Sequence, residues 1–201
     1  IERAFNFGIQ EKGEILIIAC QFLLSSSKHF HFAVREIDEF TRCAPHKVLV
    51  NGRHYLINSK NKRYELGVSL RYNGIFKYKT EGNGNSILVL GSYHIEETRH
   101  TLKLMASMGQ YLFKGHPVVK NSVFKNELGQ NRIVTEKSVY DLFACSKIVV
   151  TAASGVAVEA VACGLSVIIV AKAGETMDQN FLVDIGNGKI WDLAFNEEDL
   201  I

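Results

Sequence analysis

The chain has 201 residues, a formal net charge of +2 at neutral pH and a hydrophobic fraction of 47%. This length can bury a sizeable core as one large domain or two small ones. The net charge is small and the basic residues are scattered, which excludes nucleic acid as an expected partner. The longest early apolar run, residues 15–24, is interrupted by Gln21 and is too short to cross a bilayer.

Four cysteines, Cys20, Cys43, Cys145 and Cys163, show neither CxxC nor Cys/His ligand spacing. Two of them lie in apolar segments, so the pattern predicts buried free thiols in a reducing, cytoplasmic compartment rather than disulfides or zinc ligands. The chain begins at Ile1 without a signal peptide, and we expect it to be a piece of a longer protein.

The first part of the chain is predicted to be a partial α/β segment. Residues 14–24 fit either a strand or the start of a buried helix. Ser25–Ser27 would cap a helix over His29–Arg42. Lys47–Val50 is a β-branched strand that ends at the turn residues Asn51 and Gly52. Residues 78–86, YKTEGNGNS, predict a flexible connection, and we place the domain boundary between residues 78 and 79.

Beyond the connection, strands and helices alternate regularly. The predicted strands are 87–90, 111–113 and 132–134, and the predicted helices are 96–108 and 139–145. On the longer helix, Leu102, Leu104, Met105 and Met108 form the apolar side. This alternation predicts a doubly wound parallel sheet of the Rossmann-like α/β class.

The stretch from Lys147 to Ala171 reads as one β-α-β unit. Residues 148–150 form a buried strand, and Ser154 is placed to cap a helix over residues 156–163. Gly164 supplies a left-handed stop before a second strand over residues 166–170.

The helix start in this unit predicts an anion site at Ser154 and Gly155. Helix N-termini present unpaired N–H groups and a partial positive charge, and in parallel sheets ligands bind outside the strand ends. Glu159 lies one turn later on the same helix face, where a carboxylate can accept hydrogen bonds from sugar hydroxyls. The alternative is a solvated Glu on an ordinary helix.

Two further strand ends carry groups that could contact an anionic ligand. Lys114 and His116 follow a strand and would meet the negative charge at the Ser154 helix. The alternative is a turn ended by Pro117 with an exposed His116. Gly91 and Ser92 follow the first strand of the sheet, where Gly91 allows close approach of a ligand or backbone. Many such turns hold Gly-Ser for steric reasons alone.

Weaker candidates follow the third and last predicted strands. Thr135 and Glu136 would contact a base or sugar, although capping of the next helix by Thr135 is the alternative. Gly174 and Glu175 would approach a donor sugar.

These motifs resemble the donor-binding signature of GT-B glycosyltransferases. The matching residues are Thr151-Ala152-Ala153-Ser154-Gly155, Val158-Glu159-Ala160 and Ala162-Cys163-Gly164-Leu165-Ser166-Val167-Ile168, with Ser166 where Pro is usual. Lys114-Gly115-His116-Pro117 is similar to sequences in the families that build lipopolysaccharide, capsule and teichoic acid, and in sialyl- and polysialyltransferases. The resemblance implies that the Ser154–Gly155 loop, Gly91, Ser92, Lys114 and His116 meet the donor's phosphates and that Glu159 meets its ribose.

The resemblance also implies a function. We expect a bacterial glycosyltransferase that moves sugar from a nucleotide sugar to a growing surface polysaccharide or a saccharide or glycolipid acceptor, in the cytoplasm or at the inner face of its membrane. Residues 1–78 would belong to the acceptor-side half, and residues 79–201 would form the nucleotide-sugar-binding domain. No acidic metal pair such as DxD is present, so we expect neither a metal nor a cofactor.

Three questions stay open on the sequence. The general base usually comes from the half that is largely missing, so no catalytic residue is assigned. A sugar-nucleotide 2-epimerase has the same architecture and ligand class, but no extra acidic residues stand at the predicted site for proton abstraction. A non-catalytic nucleotide-binding module on the same fold is the third interpretation.

Overall fold

A computed structural model of the protein describes residues 2–13, 15–21, 34–57, 62–67, 69, 72–174, 180–183 and 185–200. Its contacts divide the chain into two compact units, Ile1–Asn73 and Gly74–Ile201. This division precedes the predicted boundary at residues 78 and 79, because a short 3-10 helix, Ile75–Tyr78, packs against two helices of the second unit.

The first unit is built on a three-stranded parallel sheet. Its strands are β1 (Ile18–Cys20), β2 (Lys47–Val50) and β3 (Tyr64–Leu66), in the order β1-β2-β3. Its helices are α1 (Glu2–Gln10), α2 (Glu36–Phe40) and α3 (Arg53–Ile57). The central strand β2 buries Val48 and Val50, as its alternating side chains require.

One prediction for this unit is confirmed in full and two are confirmed in part. Strand β2 has the predicted bounds, and the ambiguous segment 14–24 contributes a strand, β1. Of the helix expected over His29–Arg42, the structure describes residues 34–42, which include α2; residues 29–33 and the proposed cap Ser25–Ser27 lie outside the described residues.

The second unit contains six strands and four α-helices among its described residues. The strands are β4 (Ser86–Leu90), β5 (Leu112–Lys114), β6 (Arg132–Ile133), β7 (Ser146–Ala152), β8 (Ser166–Val170) and β9 (Trp191–Ala194). The helices are α4 (Ile95–Leu104), α5 (Lys125–Leu128), α6 (Val139–Phe143) and α7 (Gly155–Ala162), with further 3-10 turns at Met105–Ser107, Asn121–Phe124 and Glu198–Leu200. Every predicted strand and helix of this unit is present, with bounds shifted by a few residues.

The strand order is β6-β5-β4-β7-β8-β9, and all neighbours are parallel. From β4 the chain steps outward to β5 and β6, then returns to the other side of β4 and steps outward through β7, β8 and β9. This is the doubly wound Rossmann order, so the predicted α/β fold class is confirmed. Right-handed crossovers place α4 and α7 on opposite faces of the sheet.

Both faces of the sheet are covered. On β4, Leu88 and Val89 point to opposite faces, and both are fully buried. Val89 belongs to a core cluster with Leu102 of α4 and Phe113 of β5. Because strands buried on both faces read as continuous apolar runs, the parallel sheet could be recognised in the sequence.

The predicted flexible connection is instead packed. The backbone N–H of Thr80 donates to the carbonyl of Cys163 at 2.7 Å. Gly84 lies so close to the backbone of Cys145 that a Cβ at this position would overlap it. Gly84 therefore serves close packing against the rest of the second unit, and the prediction of a flexible linker was wrong.

The prediction that the cysteines are buried was also wrong for three of the four. Only Cys163 is buried; Cys20 and Cys145 are exposed and Cys43 is half-buried, all as free thiols. Cys20 ends the edge strand β1, which has no covering neighbour on one side among the described residues. Within the described part of the chain, no helix has the length and apolar character needed to span a membrane.

Candidate functional site

The strand order defines where a ligand can bind. The direction of chain winding reverses between β4 and β7, and such a switch point leaves a crevice outside the carboxyl ends of the strands. Register pairs Leu90 of β4 with Lys114 of β5 and with Thr151 of β7. The residues that follow these strands, 91–92, 115–116 and 153–155, therefore share one edge, which we call the switch-point rim.

Gly91 and Gly115 form the closest approach at this rim. The N–H of Gly91 donates to the carbonyl of Lys114 at 2.9 Å, which continues the ladder past the end of β4. A Cβ on Gly91 would lie 3.2 Å from the Cα of Gly115 and 3.3 Å from the nitrogen of His116. A Cβ on Gly115 would overlap the side-chain oxygen of Asn121. Glycine at both positions allows these neighbours to pack this closely.

Ser92 is used by the turn that leads into α4. Its hydroxyl donates to the carboxylate of Glu97 and accepts from the N–H of His94 at 3.1 Å. Its own N–H donates to the hydroxyl of Thr98 at 2.9 Å. These bonds fix the entry to α4, and any phosphate contact by the Ser92 hydroxyl has to compete with Glu97.

Lys114 ties β5 to the loop that follows β6. Its Nζ donates to the carbonyl of Lys137 at 2.7 Å and to that of Thr135 at 3.4 Å. An ammonium group has three donors, so these bonds orient the charge without using all of them. The half-buried Lys114 side chain thus lies at the end of β5, as predicted, and also holds the neighbouring loop.

His116 is oriented by two contacts. Its Nδ1 accepts the N–H of Val118 at 3.4 Å, which leaves Nε2, on the other side of the ring, to donate to a ligand. The ring of Tyr93 meets that of His116 edge to face, with centroids 5.6 Å apart. An open cleft of about 610 Å³ lies beside this pair and is lined by Tyr93, His94, Ile95, Glu96, Val118 and Val119.

Helix α7 begins at the rim. Ser154 occupies the predicted N-cap position with extended backbone angles, φ −159° and ψ 163°, but its hydroxyl makes no capping bond. The Ser154 Oγ is buried and has no hydrogen-bond partner among the described residues. The helix starts at Gly155 and ends before Gly164, whose φ of 94° confirms the predicted left-handed stop. The rim therefore contains an unpaired hydroxyl beside a helix N-terminus.

Glu159 lies one turn into α7 and is half-buried. Its Oε2 accepts a hydrogen bond from the hydroxyl of Tyr140, on α6, at 3.1 Å. Burial, and secondly the negative charge of Glu159, raises the pKa of the Cys163 thiol. Cys163 is therefore a protonated thiol at neutral pH, and its Sγ lies 3.8 Å from the carbonyl of Ile75.

The described weaker candidates, Thr135, Glu136 and Gly174, lie in loops that follow strands. Thr135 and Glu136 are exposed in the loop after β6. The cap of α6 is Ser138, which exchanges hydrogen bonds with Asp141, so capping by Thr135 was wrong. Gly174 has a φ of 84° in the exposed turn after β8, and Glu175 lies outside the described residues.

Sequence reasoning missed Asn121 and Tyr140. The Oδ1 of Asn121 is buried without a hydrogen-bond partner in the described part of the chain and lies against Gly115. Tyr140 reaches Glu159 from a different helix. No spacing rule in a sequence connects residues on separate helices. The contact between Tyr140 and Glu159 is therefore visible only in the structure.

Comparisons with known proteins do not identify a family for this chain. No protein-family model and no curated protein matches the chain. Over 89% of its length the chain is similar to a solved structure of the wall teichoic acid polymerase TagF, with a TM-score of 0.44 and 10% sequence identity. The matched part is 55% of that structure, so the chain spans about half of its length. The fold of the present chain is accordingly established by its own strand order and contacts.

Proposed function

We propose that the second unit binds a nucleotide sugar at the switch-point rim and that the protein is a glycosyltransferase. The single observation that supports this best is the strand order, which brings the ends of β4, β5 and β7 to one crevice. Those three ends carry Gly91, the Lys114–His116 pair and the start of α7, all of which suit an anionic ligand.

The rim suits a diphosphate because its donors are fixed before the ligand arrives. The first N–H groups of α7 and the partial positive charge of its N-terminus would meet one phosphate. The ammonium of Lys114 and the Nε2–H of His116 would meet the same diphosphate from the neighbouring strand. Gly91 follows the strand between them and lies close to the backbone of Gly115 and His116.

In a sugar transfer, the bond between the anomeric carbon and the diphosphate breaks and its electron pair goes to the leaving phosphate oxygen. Prearranged donors at this oxygen stabilise the charge that develops. The acceptor is a saccharide or glycolipid of a bacterial surface polymer in this proposal. Its hydroxyl oxygen forms the new bond to the anomeric carbon, and the hydroxyl proton passes to solvent water. The reaction takes place in the cytoplasm or at the inner membrane face, and no metal is required.

The proposal is tested by thermal shift and calorimetric titration. UDP, GDP, CMP and dTDP, with a sugar nucleotide of each, are added to the chain in the presence of EDTA. At least one of them should raise the melting temperature, because a ligand that binds only the native state stabilises it. No response to any of them would contradict the proposal, and a response that requires added Mg²⁺ would contradict its metal-free form.

His116→Ala connects such binding to the rim. Loss of a charge-assisted hydrogen bond costs about 1.5–3 kcal/mol, so affinity should fall about ten- to a hundredfold. His100→Ala, in the middle of α4 of the same unit, is the matched control and should bind as the unchanged chain does. Equal affinity of all three proteins would place the nucleotide elsewhere.

A further inference from the structure

Tyr140 is in direct contact with Glu159 across two helices. Its hydroxyl donates to Oε2 of Glu159 at 3.1 Å, in a partly buried environment. Tyr140 is the second residue of α6 and Glu159 the fifth of α7, and both helices start at the carboxyl edge of the sheet. With a rise of about 1.5 Å per residue, the contact lies about one helical turn from this edge.

The ring of Tyr140 is held on two sides. Tyr78 stacks on it with centroids 4.7 Å apart and an angle of 16° between the rings. Phe143, which is fully buried, meets it edge to face at 5.9 Å. Offset stacking and edge-to-face contacts of this kind restrict a ring to one orientation. The hydroxyl therefore reaches Glu159 from a fixed position.

The start of α6 is fixed as well. Lys114 donates to carbonyls at Thr135 and Lys137, and Ser138 and Asp141 form a reciprocal capping box at the first turn. A continuous series of contacts thus runs from the predicted phosphate residue Lys114, through this loop, to Tyr140 and Glu159.

We propose that Tyr140 is a positioning residue that orients the Glu159 carboxylate toward the hydroxyls of a bound ribose. This inference rests on the proposed function. A carboxylate has about four acceptor positions, so one bond from Tyr140 fixes its orientation and leaves acceptor capacity for sugar hydroxyls. Without the Tyr140 hydroxyl the carboxylate loses this restraint, and more of the cost of ordering it is then met when the ligand binds.

Tyr140→Phe tests this, because it removes the hydroxyl and keeps the ring. Affinity is measured by calorimetric titration with UDP, GDP, CDP and dTDP, and with inorganic pyrophosphate as a ligand that has no ribose. The nucleotide that binds should lose about three- to tenfold in affinity, whereas pyrophosphate should be unaffected. Tyr78→Phe is the control, since it removes a hydroxyl from the stacked partner and should change neither affinity.

A double-mutant cycle with Glu159→Gln separates positioning from a general structural role. If Tyr140 acts through Glu159, Tyr140→Phe should have little further effect on nucleotide affinity in the Glu159→Gln background. Additive losses, equal losses for nucleotide and pyrophosphate, or unchanged nucleotide affinity in Tyr140→Phe would each overturn the inference. An unchanged chain that binds none of the nucleotides would overturn the proposed function, and the inference with it.

Discussion

Gly91 and Gly115, on neighbouring strands, approach each other so closely that a Cβ on Gly91 would lie 3.2 Å from the Cα of Gly115. The atoms in the way are backbone atoms, which cannot turn aside as the end of a long side chain can. A side chain at position 91 therefore fits only if the backbone of Gly115 and His116 shifts by a few tenths of an ångström.

Gly91→Ala should accordingly destabilise the protein. Overpacking against a rigid backbone typically costs about 1–3 kcal/mol. Gly52→Ala is the control, because a Cβ there meets nothing within 4 Å and its φ is not in the left-handed region. Urea unfolding of both variants gives the comparison, and equal midpoints would show that the strands separate easily at this point.

Gly164→Ala should destabilise for two reasons that can be separated. Gly164 has a φ of 94°, and its added Cβ would lie 2.6 Å from the carbonyl oxygen of Thr80. Gly109→Ala shares the positive φ, 77°, but has no neighbour within 4 Å. The Gly164 variant should therefore lose about 1–2 kcal/mol more than the Gly109 variant in the free energy of unfolding. Equal losses of stability would mean that Thr80 and its neighbours move away from the new side chain without cost.

Lys114→Met should affect both stability and ligand binding. Lys114 bonds to two loop carbonyls, so its loss should lower the free energy of unfolding by about 0.5–1.5 kcal/mol. His116→Ala, whose Nδ1 has one long bond to a backbone N–H, should change stability less. Lys103→Met, at the exposed end of α4, is the charge-matched control. A Lys114 variant as stable as the Lys103 variant would contradict a role in holding the loop.

Tyr111→Phe should stabilise the protein, and more so at alkaline pH. The hydroxyl of Tyr111 is buried without a hydrogen-bond partner among the described residues, an arrangement that costs about 1–3 kcal/mol. Burial also raises the pKa of Tyr111. Above its ordinary pKa near 10, an unfolded tyrosine ionises while the buried one stays neutral, so stability falls as pH rises.

Unfolding measured from pH 7 to pH 11 checks this prediction. The fall in stability above about pH 10 should be shallower for Tyr111→Phe than for the unchanged chain. Tyr93→Phe, with an exposed ring, should follow the unchanged chain. A Tyr111 variant that loses stability as steeply as the unchanged chain would argue against burial of a neutral hydroxyl.

Thiol labelling should distinguish Cys163 from the other cysteines. A thiolate is the reactive form, and Cys163 is buried with a raised pKa, whereas Cys20 and Cys145 are exposed. At pH 8 a maleimide should modify the two exposed thiols rapidly and Cys163 only after denaturation. Peptide mapping by mass spectrometry identifies the sites, and rapid labelling of native Cys163 would contradict the packing of α7.

Apolar runs and glycine positions made the second unit predictable. Strand β8 was predicted with its observed bounds, and the Gly164 stop was found because few other residues adopt its positive φ. Strand β9, Trp191–Ala194, was missed, since Asp192 interrupts its apolar pattern. Its place beside β8 is set by pairing across the sheet, which has no local signal in the sequence.

Within the candidate site, the sequence predicted where residues lie along the sheet better than it predicted their hydrogen-bond partners. The ends of β4, β5 and β7 follow from the parallel topology, and Gly91, Lys114 and Ser154 are where the pattern indicated. The bonds of Ser92 to Glu97 and of Lys114 to the loop carbonyls could not be foreseen. They depend on rotamers and loop paths, which are decided by packing rather than by spacing.

The central pair of the large sheet has a consequence for folding. Strand β4 pairs with β7, joining Leu88 to Val149, and two strands and three α-helices of the unit are synthesised between them. Closing such a long loop is slow, and until β7 emerges one edge of the apolar strand β4 has no partner. A nascent or truncated chain that ends before Lys147 should therefore self-associate through this edge. The same pairing that creates the crevice means that β7 must be synthesised before the sheet of the second unit can form.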